Sequence, residues 1–188
     1  MDASDDLRAT FARRRAAEAD AAREQDERDG RRHAFEEEED RAKERLREVA
    51  EVLASALAAT EPEDLLIMPR RPGLVGLFTT NQFARGWRLD LDMSYVLRED
   101  GTLVRPGFHT EYSGSYSPQT LTFDDWIGAR LKSARLEHRE SGTRNVFDEA
   151  FVNDYERSQQ EMKRRLADAQ QSITEMFADV LEERGISL

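Results

Sequence analysis

Long, highly charged stretches at both ends of the chain carry apolar residues at intervals of three, four and seven. In the first stretch these residues are Phe35, Ala42, Leu46, Val49, Leu53 and Ala56. In the second stretch they are Tyr155, Met162, Leu166, Ala169, Ile173, Met176 and Val180. Such spacing places side chains along one side of an α-helix, where a second helix must cover them. The chain is therefore expected to fold around two long helices, each with a narrow apolar seam.

The sequence leaves open whether the two seams pair within one chain or between chains. The charged stretches extend well beyond what one small sheet can cover, which favours pairing between chains, as in a coiled coil. A homo-oligomer, most simply a dimer, is therefore expected. Its predicted interface consists of Leu46, Val49, Leu53, Met162, Leu166, Ile173, Met176 and Val180.

The middle of the chain, residues 64–121, has an ordinary globular composition and the pattern of an antiparallel sheet. Apolar and polar side chains alternate over residues 87–98, which is the period of a strand with one buried face. The Asp-Gly pair at 100–101 is typical of a two-residue hairpin turn. Such a turn would place Leu97 opposite Val104. We expect a meander of three or four antiparallel strands.

A helix is expected on each side of this sheet segment. The first, over residues 34–59, ends before Pro62, because proline disfavours helical geometry in the residue that precedes it. The second, over residues 123–139, begins at a capping box formed by Thr122 and Asp125. Its apolar stripe should cover the buried face of the sheet.

The end of the chain predicts one long helix over residues 146–184, which carries the second seam. Together these elements form a single domain that spans residues 34–188. The predicted fold class is α+β. Its order is a long N-terminal helical arm, an antiparallel meander of three to four strands, a capping helix and a long C-terminal helix.

Residues 1–33 form a charged arm, predicted to be a frayed helix or a disordered segment unless a partner covers it. Apart from Leu7 and Phe11 the arm has almost no large apolar side chain. Ion pairs spaced i,i+4 stabilise a helix by about 0.2–0.5 kcal/mol each, which is too little to order a segment of this length. Gly30 is expected to interrupt any helix that forms.

The predicted hairpin register brings together one set of chemically versatile side chains on the outer face of the sheet. It places Asp92 opposite His109. It also places Asp90 opposite Glu111. Carboxylates and an imidazole can bind a divalent metal ion or exchange protons with a substrate. Any solvated sheet face shows the same alternation of polar residues, and we prefer that interpretation. No catalytic residue and no cofactor is assigned.

Composition narrows the functional classes. A net charge of -11 and a pI near 4.9 oppose non-specific attraction to nucleic acid or to anionic lipid. The chain has no cysteine, which excludes disulfides and thiolate nucleophiles. Its first residues do not resemble a signal peptide, and no apolar run approaches the roughly 20 residues that cross a bilayer. We expect a cytoplasmic protein with no membrane segment, and the arginine-rich composition is typical of a GC-rich bacterial genome.

These observations favour a non-enzymatic function. The leading expectation is a protein-protein interaction module, such as an adaptor, regulator or chaperone-like binder, that oligomerises through its helical arms and binds another protein. A nucleic-acid-associated dimer is the first alternative, because some small nucleoid-associated proteins share the order helix, antiparallel strands, helix. A metal-dependent enzyme that uses the outer sheet face is the second. Phosphate-binding loops and the common hydrolase and metal motifs are absent.

Overall fold

The computed structural model describes residues 3–70, 80–110 and 114–187. In these ranges the helices are α1 (Ala3–Ala58), α2 (Phe123–Ala134), α3 (Val146–Asn153) and α4 (Tyr155–Glu183). The strands are β1 (Glu63–Met68), β2 (Gln82–Asp90), β3 (Ser94–Arg98), β4 (Leu103–Arg105), β5 (Phe108–His109), β6 (Ser115–Tyr116), β7 (Gln119–Leu121), β8 (Leu136–Arg139) and β9 (Gly142–Asn145). The fold is α+β, as predicted. None of the helices in the described ranges has an apolar stretch that could cross a membrane.

An antiparallel sheet of five strands forms the centre of the fold, in the order β1-β2-β3-β4-β7. The sequence predicted three or four strands, and the short strand β7 extends that meander. With only three residues, β7 is too short for an alternating pattern to reveal it. Two further pairs, β5-β6 and β8-β9, form separate two-stranded ladders.

The alternating segment 87–98 contains two strands and a tight turn. β2 ends at Asp90, β3 begins at Ser94, and Leu89 lies opposite Tyr95. Odd-numbered residues therefore pair with odd-numbered residues across this turn. The period of two continues through the turn, which is why the sequence pattern concealed it.

The next hairpin differs by one residue from the predicted register. Leu97 lies opposite Leu103, so its predicted pairing with Val104 is wrong. The connecting loop contains three residues, 99–101, and its last residue, Gly101, has a φ of 80°. A glycine in this left-handed conformation is typical of three-residue hairpin loops. A shift of one residue turns every side chain of the second strand to the other face of the sheet.

The main core lies between one face of the sheet and helices α1, α2 and α4. The sheet contributes Trp87, Leu89, Tyr95, Leu97 and Leu103. The helices contribute, among others, Leu46, Leu53, Leu57, Trp126, Ile127, Leu131, Ile173 and Phe177. The predicted capping box begins α2, because Thr122 Oγ1 accepts a hydrogen bond from Asp125 N at 3.1 Å and Asp125 Oδ2 accepts one from Thr122 N at 2.9 Å. α2 covers the buried face of the sheet, as predicted.

The opposite face of the sheet encloses a second, smaller apolar cluster. Its buried members are Leu65, Ala84, Val96 and Val104. The sheet curls around this cluster, because Gly107 N donates a hydrogen bond to Ile67 O at 2.7 Å and so joins the chain after β4 to the edge strand β1. Gly86 in β2 permits a close approach to β3, since a Cβ at this position would lie 2.0 Å from Leu97 O.

A bidentate ion pair joins α1 to the beginning of α2. Arg47 Nε donates to Asp124 Oδ1 at 2.8 Å, and Arg47 Nη2 donates to Asp124 Oδ2 at 2.5 Å. The hydrogen bond from Arg47 holds the pKa of the Asp124 carboxyl below its usual value. The acidic side chain also suits the positive end of the α2 dipole.

The capping helix ends five residues before its predicted end at residue 139. It stops at Ala134, and residues 136–145 form the β8-β9 hairpin. Glu137 accepts a hydrogen bond from Arg144 Nε at 2.7 Å across this hairpin. The hairpin is mostly polar, so its strands lack the alternating apolar residues that would distinguish them from the end of a helix.

The long C-terminal helix predicted over residues 146–184 is divided into α3 and α4. The division lies at Asp154, whose side chain accepts a hydrogen bond from Arg157 N at 3.1 Å and caps α4. Its φ of -157° and ψ of 98° are extended, which allows α3 and α4 to have different directions.

α1 is a single helix of 56 residues, so the break predicted at Gly30 is wrong. Ion pairs lie close to this glycine, with 3.9 Å between Glu24 and Arg28 and 3.4 Å between Glu27 and Arg31. The helix is also anchored in the core at its far end, so extension past Gly30 needs no new nucleus. The glycine then costs only about 1 kcal/mol relative to alanine.

Candidate interaction site on the first helix

The first half of α1 extends away from the core of the protein, and near its end Gln25, Arg28 and Asp29 line a cavity shared with α3 and α4. Every side chain from residue 7 to residue 30 is exposed, and Arg31 is the first that is half-buried. At 1.5 Å per residue, the stretch from Ala3 to Gly30 is about 40 Å long. From here on, the arm means residues 3–30 alone, a narrower range than the predicted arm of residues 1–33, and the body means the remainder of the described chain.

Leu7 and Phe11 form an apolar pair on the arm, one helical turn apart. Each has 60% of its surface exposed, which makes them the most exposed of the large hydrophobic residues in the described chain. Neighbours spaced i,i+4 lie on one side of a helix. Large apolar side chains in this position gain free energy only when another surface covers them.

A cavity of about 570 Å³ lies where the arm joins the body. Its mouth is lined by four polar side chains of the arm and the following turn, Gln25, Arg28, Asp29 and Arg32. Its buried apolar lining, termed the floor, consists of Phe35, Phe147, Met162 and Leu166, and further polar side chains complete its wall, namely Glu36, Glu39, Arg135, Asn145 and Asp148. An apolar floor with a polar mouth is typical of surfaces that accept an amphipathic ligand.

Aromatic contacts and one ion pair hold the cavity together. Phe35 stacks on Phe147 with 6.0 Å between ring centroids and meets the edge of Tyr155 at 6.2 Å. Glu39, on the cavity wall, forms an ion pair with Arg135 at the end of α2. The cavity is therefore built jointly by α1, α3, α4, the end of β9 and Arg135, which follows α2, and its apolar lining belongs to the main core.

The apolar pair and the mouth of the cavity lie on the same side of α1. Leu7 and Gln25 are 18 residues apart, and so are Phe11 and Asp29. Eighteen residues make about five complete turns of an α-helix, so each pair points in one direction. The separation along the axis is about 27 Å. An elongated partner on this side of α1 could contact both features.

The predicted oligomer interface lies inside the chain. Six of its residues are buried in the main core, namely Leu46, Leu53, Met162, Leu166, Ile173 and Val180. Val49 and Met176 are partly buried and pack against the same core. The two seams thus cover one another within one chain, and their predicted pairing between chains is wrong. Homo-oligomerisation itself stays a prediction, and it has to use other surfaces.

The structure separates the residues of the predicted acid-base or metal site. Asp92 lies in the turn between β2 and β3, where Oδ1 accepts a hydrogen bond from Trp126 Nε1 at 3.1 Å and Oδ2 lies 2.9 Å from Arg130 Nη2. Asp90 ends β2 opposite Ser94. The predicted pairing of Asp92 with His109 is therefore wrong, because the turn at 91–93 places Asp92 outside the strands.

His109 lies on the β5-β6 hairpin, and Glu111 lies outside the described residues. His109 Nε2 is 2.9 Å from Pro69 O, and Nδ1 is 2.9 Å from Ser115 Oγ. A carbonyl oxygen can only accept, so Nε2 donates this hydrogen bond. Both ring nitrogens are engaged. Among the described residues, no group of three or more His, Asp and Glu side chains is placed to hold a metal ion.

The sequence contained one sign of the arm site and none of the cavity. Leu7 and Phe11 stood out as isolated apolar residues at i,i+4 spacing. The cavity could not be foreseen, because its floor joins Phe35 to Phe147, more than a hundred residues later.

Comparison of the chain with protein-family models, curated proteins and solved structures finds no match.

Proposed function

We propose that this protein is a cytoplasmic, non-enzymatic protein-protein interaction module, and that the arm is its association element. The observation that carries this proposal is the exposure of every side chain from residue 7 to residue 30 on a helix that continues into the core. An isolated helix of this kind is marginal in water, and a partner that covers its apolar side would stabilise it.

The body supports this proposal because it fixes the direction of the arm. Leu46, Leu53 and Leu57, each no more than 1% exposed, anchor the second half of α1 between the sheet and α4. A rigid element loses less conformational entropy on binding than a flexible tail. The arm can therefore present Leu7 and Phe11 together on one side of a helix whose direction the body sets, as interaction modules with a helix-in-groove or helix-on-helix mode do.

A photo-crosslinking residue at position 7 tests the proposal in the native host. Leu7 lies on the side of the apolar pair, whereas Ala16, nine residues later, lies about two and a half turns away on the opposite side. We expect adducts of higher mass from position 7 and few from position 16, which serves as the matched control. The crosslinker captures a second copy of the chain as readily as a different protein.

Two results would contradict the proposed function. The first is a complete absence of adducts from position 7 in cells that contain the protein. The second is equal and unspecific adduct formation from positions 7 and 16, which would mean that the arm is only a solvated helix. Either result would leave the apolar pair without a binding role.

A further inference from the structure

We propose that the arm pairs antiparallel with the arm of a second copy of this chain, so that Leu7 of each copy reaches the mouth of the cavity of the other. This inference rests on the proposed function, since it names the protein that covers the arm. Three features of the described residues carry it: the charge distribution along the arm, the side of α1 that the apolar pair occupies, and the position of the cavity.

Most of the charge along the arm lies in two blocks of opposite sign and equal formal charge, and Asp5 and Asp6 precede the first block. Residues 8–15 contain four arginines and no acidic residue, which gives a formal charge of +4. Residues 18–29 contain six acidic and two basic residues, which gives a formal charge of -4. Two antiparallel arms bring each basic block against an acidic block, whereas two parallel arms bring like charges together. Complementary potentials favour the antiparallel arrangement.

The register that superposes these blocks also brings Leu7, the outer member of the apolar pair, to the mouth of the cavity. When residues 8–15 of one copy lie beside residues 18–29 of the other, the arms cross between Ala17 and Glu18. Leu7 is then level with Arg28 of the partner subunit, which lines the mouth of the cavity there. The charge blocks and the position of the cavity, which are independent features, thus favour the same register.

The direction in which the apolar pair points on α1 is compatible with a two-fold symmetric dimer. A two-fold axis brings the same patch of each copy into contact, so the patch must be complementary to itself. Leu7 shares its direction with Gln25, and Phe11 shares its direction with Asp29. Facing arms therefore bring both the apolar pair and the mouth of the cavity into one interface. The same interface recurs at both ends of the paired arms.

A different protein on the arm is the competing occupant. It would need a basic and an acidic block in the order opposite to that of the arm, and an apolar group near the cavity. A second copy of the chain, with its arm antiparallel to the first, has all of these features. The structure therefore favours the second copy.

Sedimentation velocity of the full chain, at about 50 µM and low salt, tests this pairing. The wild type is expected to be a dimer that dissociates in about 1 M salt, because salt screens the block charges. Two block variants should be monomers. One carries Arg13→Glu, Arg14→Glu and Arg15→Glu. The other carries Glu24→Lys, Asp26→Lys and Glu27→Lys.

The six substitutions together provide the matched control. They turn the first block acidic and the second basic, so antiparallel arms are complementary again, and the six-fold variant should recover the dimer. All six positions are exposed, and far-UV circular dichroism should show the body folded in each variant. Dimeric block variants would exclude the arm as the interface. A monomeric six-fold variant would overturn the antiparallel register.

A monomeric wild type under these conditions would overturn the second copy as the occupant. If position 7 then still crosslinks to a different protein, the proposed function stands and only its partner changes. If position 7 crosslinks to nothing, both proposals fail. The two experiments therefore separate the failure of this inference from the failure of the proposed function.

Discussion

Single residues determine how closely the strands of the sheet can approach and where its hairpins turn. Gly86 lies in β2 opposite Arg98, at a point where a Cβ would meet the backbone oxygen of Leu97 at 2.0 Å. Backbone cannot yield to this contact as the end of a flexible side chain could. Gly128 in α2 is the contrasting case, since its Cβ would find only Lys43 Nζ, at 3.9 Å.

These two glycines predict opposite effects of the same substitution. Gly86→Ala should lower the free energy of unfolding by about 1–3 kcal/mol, because β2 and β3 must move apart. Gly128→Ala should raise it by up to about 1 kcal/mol, because alanine favours the helix. Urea unfolding followed by circular dichroism measures both. Equal midpoints for Gly86→Ala and the wild type would show that the sheet is not constrained at this point.

At the scale of elements, the apolar seams of α1 and α4 pack against each other within one chain. Ile173 is 2% exposed and Leu166 is 5% exposed in a core shared with Leu46 and Leu53. Substitution of charges at the α4 positions would therefore disrupt the fold. Pairing of the seams between chains would have made such a variant a folded monomer, and burial of these positions in the core of one chain removes the basis for that outcome.

Ile173→Ala tests the pairing of α1 with α4 directly. Removal of this buried side chain should cost about 2–5 kcal/mol of unfolding free energy. The neighbouring Ser172 is exposed on α4, so Ser172→Ala should change stability by less than about 0.5 kcal/mol. If the seam paired between chains instead, Ile173→Ala would chiefly alter the concentration dependence of the unfolding midpoint.

At the scale of the whole molecule, the body holds all of the buried side chains among the residues whose burial is described, and the arm from residue 7 to residue 30 buries none. The first buried residue of α1 is Phe35, and no side chain from residue 7 to residue 30 lies in the core. The body should therefore fold without the arm. The arm, in contrast, depends on the body to fix its direction.

A chain that begins at Arg31 should keep the stability of the body. In about 1 M salt, which screens charges on the arm, its unfolding free energy should lie within about 0.5 kcal/mol of that of the full chain. Thermal and urea unfolding measure this difference. Loss of a cooperative transition would show that the arm contributes to the core. Helix content, by contrast, should fall by the share of the missing residues.

The sequence by itself determined the helical seams, the capping box at Thr122 and Asp125, and the alternation that buries Trp87 and Leu97. These features depend on residues close in the chain, so the periods of the helix and the strand reveal them. The same local rules predicted the α+β order of the elements.

Only the tertiary structure decided how these elements meet. The partner of each seam, the register after Gly101 and the floor of the cavity all depend on contacts between distant segments, which carry no local pattern. The break expected at Gly30 failed for the same reason, because anchoring of α1 by Leu46 and Leu53 outweighs the intrinsic preference of a single glycine. The charge blocks of the arm were present in the sequence, but their significance depended on a rigid helix that presents them together with the cavity.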